Sequence, residues 1–266
     1  MKKNPNNQEI KPLPEVRIPG TLGRAAHWIA HIRPIYWLFI VVSALALCSI
    51  FSPRTIWAVL KEAIRAQKYL VVSLAIFSLL AISLIWKTGQ RIDVWVFQYI
   101  NNRGHRPPWL DGLMLGLTQI GNGVFAYLVA FVLYLRVKHL LAYELIFGNL
   151  TLWLTVELIK ILIRRSRPYS MLDKTRVVGN RERGTSFPSG HTSQAFFMAS
   201  LFAHYYYTGF CLTFLLYAIA LFVGITRMYV GMHYPRDVLG GVILGSAWGI
   251  LGMIINSYIF TQFNIH

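Results

Sequence analysis

The stretch Phe187-Pro188-Ser189-Gly190-His191 sits between a strongly basic loop and a long apolar run. That position predicts the first turn of a membrane helix. Pro188 suits a helix start, where its missing N–H is not needed. Ser189 is a preferred N-cap residue, and Gly190 lets a ligand approach the backbone closely. The free N–H groups and positive dipole end of such a helix form an anion site, and His191 would touch the bound anion. The same five residues also fit an ordinary capped helix with an interfacial histidine, so their meaning rests on what surrounds them.

Working outward, the chain of 266 residues is 55% hydrophobic and 14% charged, against about 25% charged in an average globular protein. Several apolar runs reach the roughly 18–20 residues that cross a bilayer. The expected spans are Pro34–Phe51, Tyr69–Trp86, Leu113–Leu135, Leu140–Ile163, Thr192–Gly209, Phe210–Thr226 and Val238–Phe260. The fold class is therefore all-α, a polytopic membrane helix bundle. The organisation read from the pattern is a polar basic segment at 1–33, an extra N-terminal span with an amphipathic linker at 34–68, and a six-span core at 69–266. A short apolar stretch at Ile92–Ile100 is expected along the interface, and Gly241, Gly245 and Gly249 form a small-xxx-small face for close helix packing.

The net charge of +16 comes mostly from short loops between spans. Phospholipid headgroups or a phosphorylated substrate are therefore the expected partners rather than nucleic acid. Cys48 and Cys211 both lie inside apolar runs and form neither a disulfide framework nor a metal-ligand pair.

Three groups of polar residues fall on one side of the expected bundle. The first is Lys160, then six residues, then Arg167-Pro168. Seven residues is nearly two helical turns, so both cations point the same way if the helix continues. Lys160 within an apolar run is costly unless it binds something or is paired, and Glu157, three residues back, is its available partner. The second group is Ser189-Gly190-His191. The third is Arg227, five residues, His233, three residues, Asp237, with Tyr234-Pro235 breaking the helix between them. Asp237 also suits a helix first turn by compensating the dipole.

Together these residues point to phosphoryl chemistry. Lys160, Arg167 and Arg227 can neutralise the nonbridging oxygens of a phosphate, and the backbone N–H groups of Gly190 and His191 add donors. A neutral imidazole is a competent nucleophile, and a carboxylate on its other nitrogen fixes the tautomer; His233 with Asp237 fits that pair. His191 would protonate the leaving oxygen. No carboxylate cluster suggests a metal site, so turnover without a metal or other cofactor is expected.

The three groups resemble the three signature motifs of the type-2 phosphatidic acid phosphatase (lipid phosphate phosphatase) superfamily. Lys160-x6-Arg167-Pro168 is similar to the first, Pro188-Ser189-Gly190-His191 to the second, and Arg227-x5-His233-x3-Asp237 to the third, with Thr226 where the family usually has serine. The resemblance covers about residues 69–260. It implies that His233 is a nucleophile forming a phosphohistidine, that Asp237 orients it, and that His191 is the general acid. It further implies that Lys160, Arg167, Ser189, Gly190 and Arg227 bind phosphate.

The implied substrates include undecaprenyl diphosphate, phosphatidylglycerol phosphate, phosphatidic acid and lipid A phosphates. The basic loop (Arg164, Arg165, Lys174, Arg176, Arg181, Arg183) leans the reading toward a diphosphate. The resemblance implies an extracytoplasmic site in a cell membrane. The distribution of Lys and Arg over seven spans instead pulls that face toward the cytoplasm. A lipid phosphotransferase using the same histidine, and a non-catalytic transporter or binding protein for anionic lipids, are the competing functions.

Overall fold

The structure, a computed structural model, describes residues 43, 65–102, 106–206 and 209–263. The expected first span, Pro34–Phe51, lies outside the described residues except for Ser43, as do segment 1–33 and most of the linker at 52–68. The described residues from 65 onward belong to one compact unit.

Among the described residues there are nine α-helices and no strand. We number them α1 (Lys68–Ser83), α2 (Lys87–Asn101), α3 (Pro108–Thr118), α4 (Gly123–Leu135), α5 (His139–Ile163), α6 (Pro168–Met171), α7 (Gly190–Tyr205), α8 (Phe210–Tyr229) and α9 (Pro235–Phe263). A short 3-10 turn, Gln119–Gly121, joins α3 to α4. Three helical stretches are long and apolar enough to cross a membrane: His139–Met171, α8 and Pro235–Ile255. Two bent pairs also qualify, α1 with α2 at 95° and α3 through α4 at 60°. Large apolar side chains such as Leu79, Leu128, Trp153 and Phe214 are exposed along these helices, as lipid-facing surfaces require. This is a multi-pass membrane protein.

Two expected elements differ in detail. The run Leu113–Leu135 is not one straight span. It breaks at Gly121–Asn122, where the Asn122 side chain accepts a bond from the N–H of Val124 (3.1 Å) and so caps α4. A Cβ on Gly121 would overlap the carbonyl of His191, so the break brings this turn against the start of α7. The stretch Ile92–Ile100 belongs to α2, which buries one face through Asp93, Phe97 and Asn101, spaced four apart. It packs into the bundle by that face. The buried Asn101 donates to the carbonyls of Tyr229 (2.8 Å) and Arg176 (2.9 Å) and accepts from the Arg176 N–H (2.9 Å), joining α2, the 172–189 loop and the end of α8.

The centre of the bundle is α7, whose residues Thr192 to Leu201 are all buried. It packs most extensively on α9. Along that contact run Gly241, Gly245 and Gly249, as the small-residue spacing predicts. A Cβ on Gly241 would lie 2.7 Å from the Ser189 carbonyl, and one on Gly245 would overlap the Ser193 carbonyl. The two backbones can approach only because these side chains are absent, and dispersion contacts between them then drive association within lipid. Gly245→Val is expected to force α7 and α9 apart at a cost of about 1–3 kcal/mol or more. A thermal melt of the purified variant in detergent should show a clearly lowered midpoint. An unchanged midpoint would mean that this close approach does not hold the bundle together.

Candidate active site

Lys160 and Arg167 do not share one continuous helix. Helix α5 ends at Ile163, because Arg164 turns left-handed (φ 51°), and Arg167 instead precedes Pro168 at the start of the four-residue α6. Pro188 likewise stands outside its helix. It follows a cis peptide bond from Phe187, and α7 starts at Gly190 with Ser189 as N-cap. The Ser189 hydroxyl does not cap the backbone but accepts from Thr192 Oγ1 (2.9 Å), while its N–H donates to the Asp237 carbonyl (3.0 Å). That bond ties the starts of α7 and α9 together.

His233 sits in the reversal between α8 and α9, made possible by Gly231 at φ +87°. It is 1% exposed. Its Nδ1 lies 2.7 Å from the Ser186 carbonyl and 3.8 Å from Asp237 Oδ2. The expected direct carboxylate–imidazole bond is therefore replaced by a carbonyl. A carbonyl can only accept, so Nδ1 carries the proton and Nε2 of the neutral ring keeps its lone pair. That Nε2 faces Arg167, 3.5 Å from Nη1. Asp237 is fully buried behind the ring. Its carboxylate accepts from Arg165 (2.6 Å), from the Tyr234 N–H (2.8 Å) and from the Ser186 hydroxyl. Asp237 thus acts on His233 through Ser186, the residue whose carbonyl orients the ring.

Arg165 carries this chain further. Besides Asp237 it bonds Asp93 and Gln90 on α2, and its guanidinium lies over the Tyr234 ring. Asp93 also accepts from the N–H and Nε of Arg236 (3.1 and 2.7 Å). Arg165 and Arg176, expected among the loop cations that face substrate, instead point at acids of the protein itself: Arg165 at Asp237 and Asp93, Arg176 at Asp111. Each carboxylate is buried or half-buried and needs a paired charge there.

Arg167 and Arg227 are both 3% exposed and converge on Glu182, at 2.9 Å for Arg167 and closer for Arg227. His191 Nδ1 lies 4.0 Å from the same carboxylate. Burial raises the pKa of Glu182, but Arg227, His233, His191 and Arg167 outweigh it and hold the carboxyl well below the usual range. An anionic group therefore already rests on the two arginines expected to bind phosphate. Lys160 bonds Glu157 (2.8 Å), the partner its spacing offered. It also lines, with Glu182, Gly190, His191 and His233, a cavity of about 480 Å³ that extends along α5. Ser189 is fully buried and does not line that cavity. Among the described residues, no three His, Cys, Asp or Glu side chains are grouped to hold a metal ion.

The PAP2 superfamily profile matches residues 140–260. The chain is 33% identical over 156 residues to phosphatidylglycerophosphatase B of Bacillus subtilis, which spans 53% of this chain and 72% of that protein. The chain belongs to the PAP2 superfamily. It is also 26% identical over 194 residues to an undecaprenyl-diphosphatase of Sulfolobus acidocaldarius, covering 71% of this chain and 92% of that one. The solved structure of a transmembrane PAP2-type phosphatidylglycerolphosphate phosphatase from Bacillus subtilis superposes with a TM-score of 0.63 at 25% identity. That match covers 71% of this chain and 96% of the other.

Ser186, Asp93 and Glu182 went unread in the sequence, and Arg165 was read only as a loop cation. Asp93 did leave a signal, since it shares one helical face with Phe97 and Asn101. The electrostatics of His233 have a measurable consequence. Burial, reinforced by Arg167 and Arg227 and only partly offset by the Asp237 side, lowers its pKa from 6.5 to about 4. A ring depressed in this way stays neutral until the pH falls through about 4, whereas in the unfolded chain it takes up a proton below 6.5. The acid-side loss of kcat/KM due to this ring should therefore centre near pH 4, and folding stability should decline as pH falls from 6.5 toward 4. A pH series of kcat/KM checks this; an acid-side loss centred at pH 6.5 would contradict it.

Proposed function

We infer that this protein is a membrane phosphatase that removes a phosphate from a lipid phosphate or diphosphate through a phosphohistidine on His233. The observation that carries the reading is the unprotonated Nε2 of His233 facing Arg167, in a cavity it shares with His191 and Lys160. In the proposed reaction Nε2 attacks phosphorus and the bond to the lipid oxygen breaks. His191, held protonated by the arriving phosphate charge, gives its proton to that oxygen. Water then attacks the phosphohistidine, His191 takes the water proton, and orthophosphate leaves. Arg167, Arg227 and Lys160, with the N–H groups at the start of α7, stabilise the equatorial oxygens. Asp237 positions His233 through Ser186. Cations and helix N–H groups supply the charge stabilisation that a metal would otherwise give, so the proposed turnover is metal-independent. The activities named for the relatives support the substrate class, and we place the site on the extracytoplasmic face by likeness to the family.

The test is phosphate release from purified protein in detergent with chelator present, on undecaprenyl diphosphate, phosphatidylglycerol phosphate and phosphatidic acid. Wild type should release phosphate, and a quench with labelled substrate should trap acid-labile label on the protein. His233→Ala should lose roughly a thousandfold or more in rate and trap no label. Full activity of His233→Ala would overturn the mechanism, and label transfer only to an added lipid would favour the phosphotransferase. Sidedness has its own check. Asn180→Cys, in a chain with Cys48→Ser and Cys211→Ser, should react with a membrane-impermeant maleimide in intact cells. Protection until lysis would place the site in the cytoplasm.

A further inference from the structure

Two buried amides in the cavity have no part in the reaction above. Asn149 on α5 is 2% exposed and Gln194 on α7 is 5% exposed, and both line the same cavity as His191 and His233. The Asn149 amide donates to the Gly123 carbonyl at 3.5 Å, but its Oδ1 has no partner among the described residues. Gln194 Nε2 has none either. Polar atoms are rarely left unmet in protein interiors, and within a membrane span they usually face a ligand or a polar path.

Their place along the cavity is informative. Gln194 follows His191 by three residues, about 4.5 Å further along α7. The start of α7 lies level with Val156, since a Cβ on Gly190 would sit 3.7 Å from its Cγ1. Asn149 precedes Val156 by seven residues, about 10 Å along α5 and away from Lys160. The wall between them includes the apolar Leu152 and Val156. A phosphate at His233 would thus have an N–H donor and a C=O acceptor waiting a few bonds down its lipid tail.

We propose that Gln194 and Asn149 form a second subsite that hydrogen-bonds the polar linkage between a lipid's phosphate and its acyl chains. This rests on the reading of the His233 region as the phosphate site. The matching chemistry is an ester or amide carbonyl for Gln194 and a hydroxyl or amide N–H for Asn149. An acylated amino-sugar phosphate offers both groups, and a diacylated glycerol phosphate offers the carbonyl for Gln194. A polyprenyl diphosphate carries no carbonyl there: its second phosphate can reach Gln194, but beyond it lies only hydrocarbon, which would leave Asn149 unmet. Sites built to hydrogen-bond a group reject the analogue that lacks it. The protein is therefore selective for acylated lipid phosphates.

The experiment compares kcat/KM for a diester phosphatidic acid with that for its diether analogue of equal chain length, with a farnesyl diphosphate and an acylated glucosamine 1-phosphate beside them. Ratios are read within each protein, so a general loss of activity cancels. Wild type should prefer diester over diether by about tenfold or more, and Gln194→Met should bring that ratio near one. The acylated lipid with the larger kcat/KM identifies the source of the linkage. Equal rates on diester and diether in wild type would overturn the subsite while leaving the phosphatase reading intact, and so would farnesyl diphosphate as the best substrate. Release from none of the four would overturn the phosphate site itself. The wild-type ratio decides even if the variant fails to fold.

Discussion

The interaction on which the site depends is the buried carboxylate of Asp237 held by Arg165. A charge with no exposed surface in an apolar bundle is tolerated only when paired and hydrogen-bonded, and Asp237 meets that condition through Arg165, Ser186 and the Tyr234 N–H. Each contact constrains something else. Ser186 presents its carbonyl to His233, Tyr234 begins the turn into α9, and Arg165 reaches across to Asp93 on α2. Breaking the pair by removing one partner would strand the other charge, so the histidine is oriented by groups from three separate segments. The ring's tautomer follows from that arrangement and not from a direct bond to the carboxylate.

Packing serves the same end. The glycines of α9 let it lie against α7, and the Ser189 N–H then reaches the Asp237 carbonyl. The start of α7, where His191 and the free N–H groups lie, is thereby fixed relative to the His233 turn at the start of α9. The break at Gly121–Asn122 completes the enclosure by bringing the 3-10 turn against the His191 carbonyl. Arg167 and Arg227, almost without exposed surface, are kept company by Glu182. On the proposed reading of the site, the carboxylate keeps both guanidiniums paired until a stronger anion displaces it.

The motif residues were legible because histidine, arginine and aspartate at fixed spacings beside apolar runs have few other uses. The α7–α9 contact was legible for a similar reason, since three glycines four apart mark a face. What the sequence concealed depends on distance along the chain or on local backbone shape. Asp93 meets Arg236 across 143 residues, and no local pattern joins them. The left-handed turn at Arg164 separated Lys160 from Arg167, although spacing alone placed them on one face. Pro188 stands outside the helix it was expected to open, which starts at Gly190 with Ser189 as N-cap. Arg165 looked like one more loop cation because burial cannot be read from a charge. Two concealed residues did leave a mark: Glu182 as an acid among the arginines of a basic loop, and Asp93 by its place on the buried face of α2.

The central claim is that His233 Nε2 attacks phosphorus while Arg167 and Arg227 receive the oxygens that Glu182 now opposes. A structure of the protein with orthovanadate, a mimic of the pentacoordinate phosphoryl transition state, tests it most directly. The account predicts a bond from vanadium to His233 Nε2, equatorial oxygens on Arg167 and Arg227, and the Glu182 carboxylate moved off both. Vanadate bound through His191 or Nδ1 of His233, or held elsewhere with Glu182 still on the two arginines, would contradict it.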